Sequence, residues 1–459
     1  MKISTYSKAR AYLENLIRPS YIQRIYGAPD FYHDPLRRMG YLLNLLDNPQ
    51  KKFPSVVVSG TSGKGSTAYL IAHILATAGY KVGMTVSPHL GKLTDRMQLT
   101  NEKKQLTPID DRTFIALLNE MIKAIEHMQQ TQFGPPSYYE ALLTLCFLCF
   151  AKEQPDIAII EVGFEGKYDG TQVLDPNVFV YTNTSLDHIE ILGDTVEEIA
   201  VEGASAIKRK EDGKHLIVIS GITQKSVQDI FQRACQQAGS QLFLLGRDFS
   251  SSLEKMSGKG DVFTFVNPHM ILKNVRCSLV GAYQATNASL AIETVFQLRK
   301  FGFSVSEESI RNGLQTAFFP GRFEKINNTI LDGAHNRAKM YAFISSLKKL
   351  YPTQRKIFLL AFKEDRRIIP ILRLILPHAD AIIITEYHVA LDLKKNSTEK
   401  SGTVALSIQS LFYKKPLFIT TSVAGGLRKA RQIATKDDLI IVTGSLYLIA
   451  ECRKVLFSQ

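Results

Sequence analysis

The chain has 459 residues, of which 45% are hydrophobic and 22% are charged. This length predicts two or three domains, and the composition is typical of a globular protein rather than a fibrous or disordered one. No apolar run reaches the length of a membrane span, and residues 1–21 lack the apolar core of a signal peptide. We therefore expect a cytoplasmic protein without a membrane segment.

The formal net charge of +13 is high enough to suit either nucleic acid or small anions. The basic residues are scattered, and the short basic runs at 208–210 and 394–395 have no interleaved aromatic side chains. We therefore expect no nucleic-acid partner and interpret the charge as suited to anionic small molecules such as ATP. Cys146 and Cys149 lie close together, but in an apolar segment that predicts a buried helix rather than a zinc or redox site.

Strand and helix patterns alternate through most of the chain, which predicts an α/β fold with largely parallel sheets. In the first part we predict strands at residues 54–59, 80–86, 157–162, 178–182, 216–220 and 242–245. Helices are predicted at 66–78, 138–152, 195–208, from 223 onward, and at 283–301. Asp194 is the predicted N-cap of the third of these helices. Residues 262–280 have the pattern of a β-ribbon.

A domain boundary is predicted near Gly302 or Ser304, which gives domains at residues 1–303 and 304–459. The second domain is a smaller α/β unit, with strands predicted at residues 329–331, 356–360, 381–385, 417–419 and 439–442. The polar, lysine-rich segment 391–402 predicts a mobile loop.

Residues 56–67, VVVSGTSGKGST, are a strand, a glycine-rich loop and the start of a helix. The glycines permit a close backbone approach to a polyphosphate, while backbone N–H groups and the helix N-terminus face the anion. Lys64 supplies a positive charge for the β- and γ-phosphates, and the Ser66 hydroxyl suits Mg²⁺. The predicted ATP-binding residues of this loop are Gly60, Thr61, Ser62, Gly63, Lys64, Gly65, Ser66 and Thr67.

A loop of the form GTxGKGS, shorter than the standard P-loop, resembles that of the Mur ligase superfamily and, within it, the folylpolyglutamate synthase/dihydrofolate synthase family. Further motifs follow in the family's order over more than 400 residues. The resemblance implies a large N-terminal P-loop ATPase domain with a mostly parallel sheet, which carries the folate site. It also implies a smaller C-terminal Rossmann-like domain that completes the ATP and glutamate sites.

Two motifs after the phosphate loop are similar to family segments that bind substrate and metal. Residues 87–90 read SPHL, and residues 161–172 read EVGFEGKYDGTQ against the family's EVGLGGRLDATN. A carboxylate at the end of an apolar strand, as at Glu161, lies at the sheet edge where such folds bind ligands, and Mg²⁺ favours carboxylate oxygens. The resemblance implies that Glu161 and His188 ligate Mg²⁺. The residues that it places at the substrate site are Ser87, His89 and Asp169.

One helix later the chain departs from the family. The family motif EKAGIIK has a first lysine that is carbamylated and bridges to the second metal ion, whereas this chain reads EGASAIK from residue 202. Gly203 replaces the lysine and has no side chain to carry a carbamate. Glu202 could supply a carboxylate directly, water could fill the gap, or the chemistry could have drifted. Two Mg²⁺ sites are expected, and the second is the one that this substitution affects.

The remaining motifs return to the family pattern. Gln284 and Asn287 lie three residues apart on one helix face and suit a nucleotide base or ribose. Arg322, in the segment PGRFE, suits the γ-phosphate or its transition state. Asp332 and His335, in LDGAHN, are implied at the ATP site from the smaller domain. The predicted catalytic residues are Lys64, Arg322, Asp332 and His335.

The resemblance implies an ATP-dependent ligase that adds L-glutamate to a folate through an acyl phosphate, with dihydropteroate as a possible second acceptor. Its partners would be these small molecules, and we expect a monomer. Two other hypotheses remain open. One is a ligase with another acceptor, as in peptidoglycan or cyanophycin synthesis, against which the SPHL and PGRxE segments argue. The other is a nucleotide-binding protein without ligase activity, for which Gly203 is the motive.

Overall fold

A computed structural model describes residues 2–17, 35–187, 192–210, 213, 215–364, 366–387 and 398–457. These residues form one eight-stranded sheet, a three-stranded antiparallel ribbon and a six-stranded sheet, with helices packed around them. The predicted α/β fold with two unequal sheet-based units is confirmed. None of the described helices combines the length and apolar character needed to cross a membrane.

The larger sheet contains eight strands, which run in the spatial order β4-β3-β2-β5-β1-β6-β7-β8. They are β1 Ser55–Ser59, β2 Val82–Thr85, β3 Met97–Thr100, β4 Leu106–Pro108, β5 Ile157–Glu161, β6 Val178–Tyr181, β7 Ile217–Ser220 and β8 Gln241–Leu244. Six neighbouring strands, in the spatial order β2-β5-β1-β6-β7-β8, are parallel to one another. At the β2 edge, β3 and β4 continue the sheet in antiparallel pairing.

Nine helices of the described chain accompany this sheet. They are α1 Tyr6–Glu14, α2 Pro35–Leu45, α3 Lys64–Thr77, α4 Asp111–Met128, α5 Tyr138–Glu153, α6 Val196–Ala204, α7 Lys225–Ala238, α8 Tyr283–Gln297 and α9 Glu307–Thr316. The predicted buried helix around Cys146 and Cys149 is α5, in which both thiols are buried and unpaired.

Strand β1 shows why this sheet is central to the fold. All five of its residues are buried, and it pairs with β5 on one side and β6 on the other. Because side chains alternate across a strand, Val57 packs into one core and Val56 and Val58 into a second core on the opposite face. A parallel strand that is covered on both faces must be apolar throughout, and the apolar run at residues 56–58 is the pattern from which β1 was predicted.

Helix α3, which follows the glycine-rich loop, packs against both α8 and α9. The approach of α9 is close, since a Cβ atom at Gly313 would lie 2.8 Å from the Cα atom of Ile74. Helix α9 therefore belongs with the larger sheet, and the chain crosses to the second sheet after Thr316. The predicted boundary at residues 303 and 304 lies one helix before this crossing.

The rest of the chain forms the ribbon and the smaller unit. The ribbon strands are β9 Ser250–Ser257, β10 Gly260–Asn267 and β11 Met270–Cys277. The smaller unit contains β12 Glu324–Ile326, β13 Thr329–Leu331, β14 Lys356–Leu360, β15 Ala381–Ile384, β16 Leu417–Ile419 and β17 Leu439–Thr443, in the order β12-β13-β17-β14-β15-β16. Its helices are α10 Arg337–Leu350, α11 Ile369–Ile375, α12 Ser401–Ser410, α13 Val423–Ile433 and α14 Leu446–Phe457.

Several local predictions were wrong. The N-cap of α6 is Thr195 rather than Asp194, because Thr195 and Glu198 form a reciprocal capping box. This helix ends at Ala204 rather than at 208, and the Ser205 hydroxyl donates to the Glu202 carbonyl oxygen at 2.6 Å. Gly203 is therefore in the last turn of the helix.

Two predicted segments also differ in extent. The ribbon predicted at 262–280 begins one strand earlier, at Ser250, because the polar and exposed β9 gives no alternating apolar signal. Most of the predicted loop 391–402 lies outside the described residues, and α12 already begins at Ser401.

Candidate active site

The carboxyl ends of strands from both sheets meet at one cavity of about 430 Å³. The larger unit contributes the glycine-rich loop after β1, the segments after β5 and β6, and the Ser87-Pro88 segment after β2. The smaller unit contributes residues after β13, β14 and β17. Ligands in open α/β sheets bind beyond the carboxyl ends of the strands, so this cavity is the candidate active site.

The glycine-rich loop has the backbone shape that its sequence predicts. Gly60 and Gly63 adopt φ values of +117° and +87°, in the left-handed region that favours glycine. A Cβ atom at Gly63 would lie 2.5 Å from the Asn287 side-chain oxygen, so this position also needs a residue without a side chain. Gly63 directly precedes α3, and the helix N-terminus therefore faces the cavity.

The end of β6 holds this loop in place. The Ser62 N–H donates to Asn183 Oδ1 at 3.1 Å, and the Thr182 hydroxyl donates to the Ser62 carbonyl oxygen at 2.6 Å. Lys64 is the first residue of α3, and its Nζ donates to the Gly60 carbonyl oxygen at 2.5 Å. Ser66 is buried in the first turn of the helix and lines the cavity.

Glu161 is the last residue of β5 and is buried in the cavity wall. Its Oε2 accepts the Ser87 N–H at 2.8 Å, which fixes the carboxylate beside the 87–90 segment. Burial raises the pKa of Glu161, and the positive charge of Lys64 opposes the rise. A Cβ atom at Gly65 would lie 3.1 Å from Glu161 Oε1, so the carboxylate lies directly against the start of α3.

These groups fit a magnesium ion beside a nucleotide. The Ser66 hydroxyl and the Glu161 carboxylate are hard oxygen ligands on one wall of the cavity, and Mg²⁺ usually takes one or two carboxylates together with phosphate oxygens. Within the described ranges, no group of three or more histidine, cysteine, aspartate or glutamate side chains is arranged around a metal position. His188, the other predicted ligand, lies outside the described residues.

The smaller unit brings Arg322, Asp332 and His335 to the opposite wall. Asp332 accepts the Phe323 N–H and the Ala334 N–H, both at 2.9 Å, and so joins the two loops that carry the arginine and the histidine. Burial raises the pKa of Asp332 to about 6, against the effect of the Arg322 charge. The Arg322 guanidinium stacks 5.2 Å from the Phe319 ring centroid, which supports its position.

Lys339 was not predicted as a site residue, yet it lines the same cavity. Its Nζ lies 3.1 Å from His335 Nε2, and His335 Nδ1 lies 2.8 Å from the Gly333 carbonyl oxygen. Burial lowers the pKa of Lys339 to about 7 and, with the Lys339 charge, the pKa of His335 to well below its usual range. His335 is therefore neutral, with Nδ1–H donating to Gly333 and Nε2 accepting from Lys339.

Asp187 joins the two units across the cavity. One carboxylate oxygen accepts from Arg366 Nη1 at 3.0 Å, and the other accepts from Asn336 Nδ2 at 2.7 Å. Only 8% of the Asp187 side chain is exposed, so this ion pair is shielded from water. It connects the segment after β6 with the smaller unit and closes one side of the site.

Five predicted site residues of the described chain are not in the cavity wall. Gln284 is fully buried, and its Oε1 accepts from Asn287 Nδ2 at 2.8 Å, so it positions a residue that does line the cavity. Asp169 caps a short turn by accepting the Thr171 N–H at 2.8 Å. His89 Nδ1 accepts from Arg96 Nε at 3.2 Å, behind the Ser87-Pro88 segment. Among the predicted loop residues, Gly60 and Thr67 likewise lie behind the wall.

The sequence signal for Lys339 is its short distance from the LDGAHN segment. It lies in the first turn of α10, four residues after His335, which precedes the helix N-cap Asn336. Arg366 follows β14 in a segment for which no site role was predicted, and only the folded chain places it in the cavity wall. The described cavity wall thus contains five basic side chains, Lys64, Arg322, Lys339, Lys363 and Arg366, and four carboxylates, Glu161, Glu165, Asp187 and Asp332.

Comparison with known sequences defines the class of protein first. The Mur ligase middle domain pattern matches residues 58–295, which include the phosphate loop and Glu161. The pattern of the dihydrofolate synthetase C-terminal domain matches residues 321–455. Together with the two-walled nucleotide site, these matches make the chain an ATP-dependent ligase of the Mur ligase type.

Relatives that align over almost the whole chain identify the family within this class. The folylpolyglutamate synthase of Lacticaseibacillus casei is 30% identical over 434 residues, which cover 92% of this chain and 94% of that protein. The dihydrofolate synthase/folylpolyglutamate synthase of Bacillus subtilis is 29% identical over 438 residues, with 94% and 97% coverage. The chain belongs to the folylpolyglutamate synthase/dihydrofolate synthase family.

Solved structures show the same fold. The Mycobacterium tuberculosis folylpolyglutamate synthase complexed with ADP aligns with a TM-score of 0.86 at 23% identity, over 99% of this chain and 98% of that chain. The E. coli FolC protein in complex with DHPP and ADP aligns with a TM-score of 0.81 at 25% identity, over the same shares.

Proposed function

We propose that this chain adds L-glutamate to a folate at the expense of ATP, through an acyl phosphate. The observation that carries the proposal is the two-walled cavity, which places the glycine-rich loop on one side and Arg322 with Lys339 on the other. Cationic groups on both walls suit a triphosphate whose terminal phosphate lies between them. The bifunctional name of the Bacillus subtilis relative supports dihydropteroate as a second acceptor.

In the proposed reaction, a carboxylate of the acceptor attacks the γ-phosphorus of ATP, and ADP leaves. The amine of glutamate then attacks the acyl carbon and loses a proton, and the tetrahedral intermediate releases inorganic phosphate. Lys64 and Arg322 offset the negative charge on the transferring phosphoryl group. When bound at Ser66 and Glu161, Mg²⁺ would neutralise phosphate oxygens.

We propose that the cations of the smaller unit act mainly in this first step. Lys339 donates to neutral His335, so its amine is held at the cavity wall rather than in solvent. The ion pair of Asp187 and Arg366 holds the two units together. A closed cavity excludes water that would otherwise hydrolyse the acyl phosphate.

We further propose a cytoplasmic monomer. All five cysteines are buried and unpaired, as expected in a reducing compartment.

The test is release of inorganic phosphate from ATP, measured with glutamate and either tetrahydrofolate or dihydropteroate. We expect release that needs both glutamate and one of these acceptors, with a matching glutamylated product seen by mass spectrometry. Release that is indifferent to both acceptors but dependent on another carboxylic acid would refute the folate assignment. Glutamylation of dihydropteroate as well would make the enzyme bifunctional.

A further inference from the structure

Glu165 lies four residues after Glu161 in the wall of the proposed active site. Its carboxylate is buried, and only 5% of the residue is exposed. It is held by hydrogen-bond donors on two sides. The Tyr181 hydroxyl donates to Oε1, and the Thr61 hydroxyl of the phosphate loop donates to Oε2 at 3.4 Å. The Thr184 hydroxyl in turn donates to the Tyr181 oxygen at 3.1 Å, which fixes the tyrosine.

The last turn of α6 approaches this carboxylate at Gly203. A Cβ atom at Gly203 would lie 2.7 Å from Glu165 Oε1 and 2.6 Å from Tyr181 Cε2. Gly203 is helical, so its backbone does not require glycine, and the requirement is one of space. The Tyr181 ring is fully buried and cannot move aside. A side chain at 203 and the present position of the Glu165 carboxylate therefore exclude one another.

These two residues are reciprocal departures from the family pattern quoted above. The family has glycine where this chain has Glu165, and lysine where this chain has Gly203. The structure brings the two departures into contact. Glu202, the neighbouring carboxylate, does not take this role, because its Oε2 accepts the Lys167 N–H at 3.2 Å and it is not in the cavity wall.

We propose that Glu165 is a ligand of a divalent cation in this cavity, and that Gly203 is present to leave room for its carboxylate. The inference rests on the proposed function, since it assumes a metal–nucleotide complex at this site. A carboxylate is a hard oxygen ligand that suits Mg²⁺, and it lies against the loop that would hold the phosphates. Because the carboxylate belongs to a side chain, metal binding needs no carbon dioxide or bicarbonate.

The first test measures Mn²⁺ binding by electron paramagnetic resonance in the presence of the non-hydrolysable analogue AMPPCP. Glu165→Gln keeps the shape and hydrogen-bonding capacity of the side chain but removes its charge. We expect the affinity for Mn²⁺ to fall on the order of tenfold or more, while AMPPCP binding measured without metal is not weakened, because a negative charge beside the phosphates is removed. Tyr181→Phe, which leaves the carboxylate in place, is the matched control and should retain Mn²⁺ binding within a few-fold.

Unchanged Mn²⁺ affinity in Glu165→Gln, together with a lowered melting temperature, would overturn the inference and make Glu165 a structural acceptor for Tyr181. That outcome leaves the proposed function standing. If wild-type protein binds neither AMPPCP nor Mn²⁺, the proposed function fails as well, so the two failures are distinguishable.

The second test exchanges the two residues. We expect Gly203→Lys alone to lower the melting temperature and to lose Mn²⁺ binding, because lysine displaces the carboxylate. Adding Glu165→Gly to that variant should recover stability, with Mn²⁺ binding that now increases with bicarbonate. Wild-type binding should not respond to bicarbonate. A Gly203→Lys variant as stable as wild type with undiminished Mn²⁺ binding, or a wild type that needs bicarbonate, would refute the pairing of Glu165 with Gly203.

Discussion

The charge state of Lys339 gives a prediction that links pH to nucleotide affinity. Burial lowers the pKa of Lys339 to about 7, the charges of Lys64 and Arg366 act in the same direction, and Asp187 opposes them. At pH 6 about nine in ten molecules carry the charge, and at pH 8 about one in ten do. If ADP binds the charged form and holds it protonated, its dissociation constant rises about tenfold between pH 6 and pH 8, or about 1.4 kcal/mol.

Isothermal titration calorimetry with ADP at several pH values checks this number. The phosphate groups of ADP also titrate, so the comparison must be made between variants at each pH. Lys339→Arg keeps a charge that does not titrate in this range, and we expect it to remove the tenfold component. Lys339→Met should bind ADP weakly at every pH, with the same flat profile as the arginine variant.

This dependence of ADP affinity on pH would be refuted by parallel pH profiles for wild type and Lys339→Arg. It would equally be refuted by a methionine variant that binds ADP as tightly as wild type at pH 6. Either result would mean that the Lys339 charge does not face the phosphates.

Three other changes have defined outcomes. Lys64→Ala should abolish ATP turnover with an unchanged circular dichroism spectrum, and wild-type turnover would remove the phosphate-loop assignment. Arg322→Ala should lower kcat more than it weakens ATP binding, because the guanidinium acts on the transferring phosphoryl group, and a loss confined to affinity would make it a ground-state ligand. Asp261, the buried second residue of ribbon strand β10, has its pKa raised by burial from 3.8 to about 7. The folded state therefore holds an extra proton between these values, stability falls as pH rises through them, and Asp261→Asn should stabilise by up to about 4 kcal/mol at pH 8 but little at pH 4. Equal melting-temperature differences at both pH values would contradict this.

Strands and loops were predictable from the sequence where residues of the same segment determine their conformation. Strands β13, β14 and β16 were predicted to the residue, because short apolar runs bounded by polar residues have few alternatives in an α/β chain. The phosphate loop was predictable because its cause is also local: the spacing of its glycines determines where the backbone can turn. Strand β9 was missed because its exposed polar residues follow no period, and pairing with β10 alone makes it a strand.

The roles of single side chains were less predictable, because they depend on which neighbours the fold supplies. Gln284 and Asn287 were correctly placed on one helix face, but helix spacing does not say which of them points into the cavity. The structure turns Asn287 toward Gly63 and buries Gln284 behind it. Each motif with a predicted site residue among the described residues has at least one residue in the cavity wall, and packing divides the others between contact with the cavity and support of that contact.

The pair of Glu165 and Gly203 shows this limit most clearly. Considered alone, each residue looks like the loss of a family feature. Glu165 places a charge where the quoted motif has glycine, and Gly203 removes a lysine from the other motif. Neither residue explains the other until the loop after β5 meets the last turn of α6, beside the buried ring of Tyr181. Volume then accounts for both changes, because the space that a lysine side chain would need is filled by a carboxylate from the neighbouring loop. A substitution that removes a functional group therefore has to be judged against every residue that enters the vacated space.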